Sequence, residues 1–148
     1  MKHFFPEATK LLHGIPRMDC HIHSNFTDGT ATLKEYLEAA IRKKFTCVCF
    51  TEHVNKATTW YDNFVDEVIQ LRQNSPDGIE IYHGIEVRAV DYEGNLNTSP
   101  GLLGQAEVVM GVVHSYPDEQ KDVHRLDELN RDMALEPVSY THLTLPTN

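Results

Sequence analysis

His21 and His23 are separated by a single residue. This spacing is the most direct indication of a functional site in the sequence. Side chains two positions apart on a β-strand point to the same face, so both imidazoles would project together. Asp28 follows in a loop marked by the sequence Thr27-Asp28-Gly29. Neutral imidazoles combined with a carboxylate are a common ligand set for divalent metal ions. The segment therefore predicts a metal site at the end of a strand.

Three later apolar segments also end in residues that can bind metal ions. His53, Glu86 and His114 close these segments in that order, and a helical or loop segment follows each one. The carboxyl ends of parallel strands meet at one face of an α/β barrel, and such barrels carry their active sites at that face. We therefore expect all three residues to converge with the His21/His23 pair at one end of a sheet.

Taken together, these motifs resemble those of the PHP (polymerase and histidinol phosphatase) family of metal-dependent phosphoesterases. The matching segments, in order, are DCHIHS, TDG, TEH, GIEV and GVVHS, spread over residues 19 to 115. The resemblance implies an α/β fold that is the N-terminal part of a distorted β/α barrel, about four β/α units of roughly seven. It also implies about two or three divalent metal ions, which could be zinc, manganese or iron.

The resemblance further implies a role for each residue of the site. Glu86 would bridge two metal ions and act as a catalytic residue together with His114. Arg88 lies two residues after Glu86 on the same strand face and could bind a substrate phosphate. The reaction would be hydrolysis of a small phosphomonoester, as in histidinol phosphatases, by a metal-bridged hydroxide. The implied metal ligands are His21, His23, Asp28, His53, Glu86 and His114.

Each assignment has a simpler alternative. Asp28 precedes a glycine, so it could serve only to shape a turn. His53 and Glu86 could pair with each other instead of binding metal, and His114 could be a residue at the entry to a helix. Arg88 could be an ordinary surface residue. Whether the side chains converge in space decides between these interpretations.

Other functions are also compatible with the motifs. A PHP-type nuclease or nucleotide phosphatase would use the same metal ligands, and a basic groove would favour it. A metal-binding PHP module without catalysis would keep only some of the ligands. An amidohydrolase-type enzyme also carries a His-x-His pair on a barrel strand, but the Gly-Ile-Glu and Thr-Glu-His segments fit the PHP pattern better.

The periodicity of apolar residues predicts the elements that must position the site. Thr32 and Glu35 form a capping-box pattern that begins a helix. Asp19, two residues before His21, is expected to orient an imidazole through its other ring nitrogen. Predicted strands cover residues 15–23, 46–51, 79–87 and 106–113, predicted helices cover residues 33–44, 60–74 and 118–134, and a polar loop covers residues 91–100.

Composition and charge narrow the class of protein. The 148 residues carry a net charge of −9, which argues against binding duplex nucleic acid but allows a small phosphorylated substrate beside bound cations. No apolar run is long enough to span a membrane, so we expect a cytosolic protein. The three cysteines show no disulfide framework and are expected to be free, buried thiols.

The end of the chain is expected to lie outside the barrel domain. Residues 138–148 resemble the translation of a transposon-derived sequencing adapter, so we assign the domain to residues 1–137. The PHP resemblance implies further metal ligands in the later part of a complete barrel. We therefore expect a truncated domain that is poorly soluble and catalytically weak or inactive by itself.

Overall fold

The computed structural model describes residues 16–76, 78–91 and 93–113. Within these ranges, four parallel strands form one sheet in chain order, and the sheet curls into half of a barrel. The predicted α/β class is therefore confirmed. The elements are β1 (Met18–Ile22), α1 (Leu33–Arg42), β2 (Cys47–Val54), α2 (Tyr61–Asn74), β3 (Glu80–Arg88), α3 (Pro100–Gln105) and β4 (Val108–Val112).

The two faces of the sheet bury different sets of side chains. The helix-covered face packs large apolar residues such as Phe50 and Ile85 against Phe64 and Val68 of α2. The opposite face holds a smaller cluster around Cys49 and the strand β4, with Cys20 and Tyr82 packed against it. Strand β2 is buried along nearly its whole length and is apolar on both faces from Cys47 to Phe50, which is typical of an inner parallel strand.

The predicted start of helix α1 is confirmed in detail. The hydroxyl of Thr32 accepts a hydrogen bond from the main-chain N–H of Glu35, and the Glu35 carboxylate accepts one from the main-chain N–H of Thr32. This reciprocal pair satisfies two N–H groups that a helix start would otherwise leave without partners. The loop between β1 and α1 therefore ends at Thr32.

Some boundaries differ from the prediction. Strand β2 continues to Val54 instead of ending at residue 51, so Glu52 and His53 belong to the strand. The short helix α3 begins where a polar loop was predicted to end, because Ser99 caps it and Pro100 occupies its first turn. The predicted helix 118–134 and the segment 138–148 lie outside the described residues.

The described helices do not resemble membrane spans. None of the helices within residues 16–76, 78–91 and 93–113 has both the length and the apolar character needed to cross a bilayer.

Candidate metal centre

The carboxyl ends of three neighbouring strands bring the predicted ligands together. His21 lies in β1 and His23 directly follows this strand, while His53 and Glu86 lie near the ends of β2 and β3. The strand register places His53 directly opposite Glu86. Parallel strands with aligned ends therefore position one histidine pair, one further histidine and one carboxylate at the same edge of the sheet.

The first group of candidate ligands consists of His21, His23 and Glu86. The Nε2 atoms of the two histidines are 2.8 Å apart, and Nε2 of His23 lies 3.1 Å from Oε2 of Glu86. The same Oε2 atom contacts Nε2 of His21. One carboxylate oxygen can accept N–H groups from both rings, but the two Nε2 atoms then face each other at 2.8 Å with no hydrogen bond between them. Three such atoms facing one another form an arrangement that a cation would stabilise.

The second group consists of His23, Asp28 and His53. Nε2 of His53 lies 3.3 Å from Oδ2 of Asp28, and Nδ1 of His23 lies 3.7 Å from Oδ1 of the same carboxylate. The rings of His23 and His53 are stacked, with their centroids 4.3 Å apart. His23 thus belongs to both groups, so the two candidate metal positions are adjacent.

Several features of these residues fit a bound metal ion. Nδ1 of His23 is buried and has no hydrogen-bond partner among the described residues, and buried polar atoms of this kind are uncommon in proteins. Ligand atoms held about 2.0–2.1 Å from a tetrahedral zinc ion lie about 3.3 Å from one another. The separations of 2.8 and 3.1 Å in the first group are shorter than this spacing, so the ligands would move apart slightly around an ion.

Glu86 is the electrostatic centre of the site, with a side chain that is only 3% exposed. Burial by itself would raise its pKa, but hydrogen bonds with His21 and His23 and the charge of His53 hold that pKa well below its usual range. Burial opposes protonation of His23, but hydrogen bonding to Glu86 and the charges of Glu86 and Asp28 raise the pKa of His23 above 6.5. The carboxylates around His23 therefore favour its protonated form when no metal is bound.

The loop after β1 is held by a residue for which we predicted no role. Glu52 is fully buried, and its Oε1 accepts hydrogen bonds from the main-chain N–H of Ser24 at 2.8 Å and from the Ser24 hydroxyl at 2.5 Å. The hydroxyl of Thr27 donates to the other carboxylate oxygen. The sequence did contain a signal for this contact. A carboxylate lies within an apolar strand, and two hydroxyl residues follow the His-x-His pair.

A glycine allows this loop to fold tightly against the end of β1. The main-chain N–H of Gly29 donates to the carbonyl oxygen of Ser24 at 2.9 Å. A Cβ atom at position 29 would lie 2.0 Å from the carbonyl oxygen of His23, a contact that the main chain cannot accommodate. Close main-chain approach, not a positive φ angle, thus explains the glycine beside Asp28.

The other predicted site residues have different outcomes. Asp19 accepts a hydrogen bond from the main-chain N–H of His21 at 3.2 Å and, within the part of the chain that the structure describes, does not make the expected contact with an imidazole. Arg88 is the exposed last residue of β3, two positions after Glu86, and its role in phosphate binding stays a prediction. His114 lies outside the described residues, two positions after the end of β4 at Val112.

A separate polar cluster lies on the helix-covered side of β3. Glu107 forms a two-pronged ion pair with Arg72, at 3.2 and 2.5 Å, and its Oε2 lies 3.5 Å from Nε2 of His83. The hydroxyl of Tyr61 is 3.4 Å from the other ring nitrogen of His83. As expected from strand alternation, His83 is directed away from Glu86 and takes no part in the metal-ligand groups.

The chain also resembles known proteins over most of its length. Residues 19–145 match the model of the PHP domain. A protein named as a probable phosphatase from Thermoanaerobacter sp. strain X514 is 30% identical over 111 residues, which cover 71% of this chain and 43% of the relative. A probable phosphatase from Pectobacterium carotovorum subsp. carotovorum is 26% identical over 112 residues, which cover 72% of this chain and 45% of the relative.

The chain thus spans less than half the length of these curated relatives. The family match, by contrast, covers well over half of the chain and includes His21, His23, Asp28, His53 and Glu86. On this basis the chain belongs to the PHP domain family.

Proposed function

We propose that this protein is a metal-dependent phosphoesterase that hydrolyses a small phosphomonoester. The observation that supports this most strongly is the position of Glu86 between the histidines of both groups. Its Oε2 atom faces His21 and His23, while its Oε1 atom lies 3.4 Å from Nδ1 of His53. A carboxylate with its two oxygens directed to different histidines places negative charge beside both candidate metal positions, as the sharing of Glu86 between two cations requires.

The described residues suggest how the metal ions would be held. His21, His23 and Glu86 would bind one ion, and His53 with Asp28 would bind a second beside it. When bound, such ions stabilise charge on phosphate oxygens and make water a stronger nucleophile. The protein itself contributes a buried carboxylate that stays ionised and imidazoles whose positions are set by the strand ends.

The charge of the protein supports a small substrate. A net charge of −9 disfavours a long polyanion such as duplex nucleic acid, whose binding requires a basic surface. A small phosphate ester needs only local positive charge, which the metal ions and Arg88 would supply. The names of the relatives, which are probable phosphatases, are consistent with this choice.

The test is hydrolysis by a purified full-length protein that contains this chain, measured with a phosphomonoester and a phosphodiester after addition of manganese or zinc. We expect cleavage of the monoester only, and loss of that activity when a chelator is added. Preferred cleavage of the diester would favour a nuclease. Stoichiometric metal binding without hydrolysis of either ester would favour a non-catalytic metal-binding module.

A further inference from the structure

The loop of residues 24–31 is attached to strand β2 at two places. On one side, Glu52 binds Ser24 and Thr27 from beneath the loop. On the other side, the next residue of the strand, His53, meets Asp28 at 3.3 Å. Because adjacent strand residues point to opposite faces, these two attachments use opposite faces of β2.

Ser24 connects the first attachment to the rest of the loop. It is completely buried, and its carbonyl oxygen accepts hydrogen bonds from the main-chain N–H groups of Thr27 and Gly29 at 3.1 and 2.9 Å. Its hydroxyl accepts one from the main-chain N–H of Phe26 at 3.3 Å. Hydrogen bonds to Ser24 thus hold the loop together, and the Glu52 carboxylate binds this same residue.

Asp28 depends on this attachment for its position. Its side chain is 67% exposed, so little packing restrains it. Its carboxylate nevertheless lies between His23 and His53, because the loop that carries it is bound to the strand that carries His53. Hydrogen bonds to a charged carboxylate are stronger than those between neutral groups, so the loss of Glu52 would release part of this restraint, while Phe26 keeps its contacts with Trp60 and Phe64.

We propose that Glu52 is a positioning residue for the second metal position, the one that Asp28 and His53 would form beside His23. Glu52 binds no metal itself. It holds the loop so that Asp28 is already placed before an ion arrives, and the ion therefore does not have to order the loop. The proposal rests on the proposed metal-dependent function, but it concerns metal affinity and loop order, which are measurable without any substrate.

The main test uses Glu52→Gln and Thr27→Val in the full chain. Thr27→Val removes one of the hydrogen bonds to Glu52 while keeping the shape of the side chain. Zinc affinity is measured by competition with a coloured chelator. We expect both variants to bind the ion at the second position about 10–100-fold less tightly, the usual effect of removing a residue that orients a metal ligand.

Thr27→Ser supplies the rescue, because it restores the hydroxyl, and it should bind zinc as the unaltered protein does. Thr46→Val is the matched control. Thr46 donates a hydrogen bond to the carbonyl oxygen of Arg17 at the other end of β2, so this variant makes the same chemical change far from the loop. We expect no change in its zinc affinity.

Hydrogen exchange of the metal-free protein separates this proposal from the proposed function. Glu52→Gln and Thr27→Val should accelerate exchange of the amides of Thr27 and Gly29, whereas Asp28→Ala should lower zinc affinity and leave that exchange unchanged. If zinc affinity and exchange both stay unchanged in Thr27→Val, the proposal is wrong, even if Glu52→Gln fails to fold. If the loop responds as expected but no phosphate ester is hydrolysed, only the proposed function is wrong.

Discussion

His53 and Glu86 lie directly opposite each other on adjacent parallel strands, with Nδ1 of the histidine 3.4 Å from Oε1 of the carboxylate. The pairing of β2 with β3 is continuous from Cys47 to Val54, so the relative position of the two side chains is set by main-chain hydrogen bonds. A shift of one residue would move one of them to the opposite face of the sheet. The site therefore depends on strand register as much as on the identity of its residues.

We expect Glu86→Ala to abolish metal-dependent hydrolysis more completely than Asp28→Ala. Glu86 is 3% exposed and contacts the histidines of both groups, whereas Asp28 is 67% exposed and belongs to one group. A loss greater than about 100-fold is expected for Glu86→Ala, since even residues that only orient a ligand contribute 10–100-fold. Steady-state hydrolysis and metal content of both variants provide the measurement.

Glu80→Ala is the control for this comparison. Glu80 is an exposed carboxylate at the start of the same strand and accepts a hydrogen bond from the Tyr82 hydroxyl. Its removal should leave metal content unchanged. Equal activity in Glu86→Ala and Glu80→Ala would contradict the linking role of Glu86.

Metal affinity should decrease as the pH falls, beginning at a higher pH than for an ordinary histidine site. His23 must be neutral to bind a metal ion, and the surrounding carboxylates raise its pKa above 6.5. Protons therefore compete with the metal from above pH 6.5 downward. Zinc dissociation constants measured across this range provide the test, and an affinity that stays constant until well below pH 6.5 would show that the raised pKa is wrong.

The same shift has the opposite effect on the stability of the metal-free protein. The pKa of His23 is higher in the folded state than in the unfolded state. His23 therefore stabilises the fold fully at a pH below its unfolded-state pKa, and this stabilisation is lost as the pH rises through its folded-state pKa. In the presence of chelator, the contribution of His23 to the unfolding midpoint should therefore decrease as the pH rises above 6.5. His23→Gln should remove that component.

His83 is expected to make the fold less stable in acid. Burial lowers its pKa below 6.5, with the nearby Glu107 acting in the opposite direction and Arg72 in the same direction. The contribution of His83 to the unfolding free energy is fully present at a pH above its unfolded-state pKa. This contribution is lost as the pH falls from that pKa through the lower folded-state pKa. The difference in unfolding free energy between the unaltered protein and His83→Gln, measured in chelator, should therefore shrink below pH 6.5. A difference independent of pH would contradict this prediction.

Gly29→Ala should disturb both the loop and the metal site. The added Cβ would lie 2.0 Å from the carbonyl oxygen of His23, so the main chain must move. We expect a loss of about 1–3 kcal/mol in unfolding free energy, the usual cost of overpacking, together with weaker zinc binding. Denaturant unfolding and chelator competition are the measurements.

Gly104→Ala is the matched control, because nothing lies within 4 Å of the Cβ that it would add in helix α3. This variant should be neutral or more stable by up to about 1 kcal/mol, since alanine favours helix over glycine. If Gly29→Ala behaved like Gly104→Ala, the close approach at Gly29 would not constrain the loop.

Much of the fold and part of the site could be predicted from local patterns. The capping box at Thr32, the apolar run of β2 and the order of strands and helices all follow from residues close together in sequence, so the α/β half-barrel was predictable. The His-x-His spacing placed His21 and His23 on one face for the same reason. The helix α3 was missed because its six residues are too few to show apolar periodicity and its start depends on the cap at Ser99.

The arrangement within the site was decided only by the tertiary structure. The two oxygens of Glu86 face histidines of different strands, and Glu52 holds a loop about 25 residues away from it in the sequence. No periodicity encodes such contacts, because they depend on strand register and on the path of a loop across the sheet. The sequence by itself therefore determined which residues can bind metal, and the packing of β1, β2 and β3 determined how they share it.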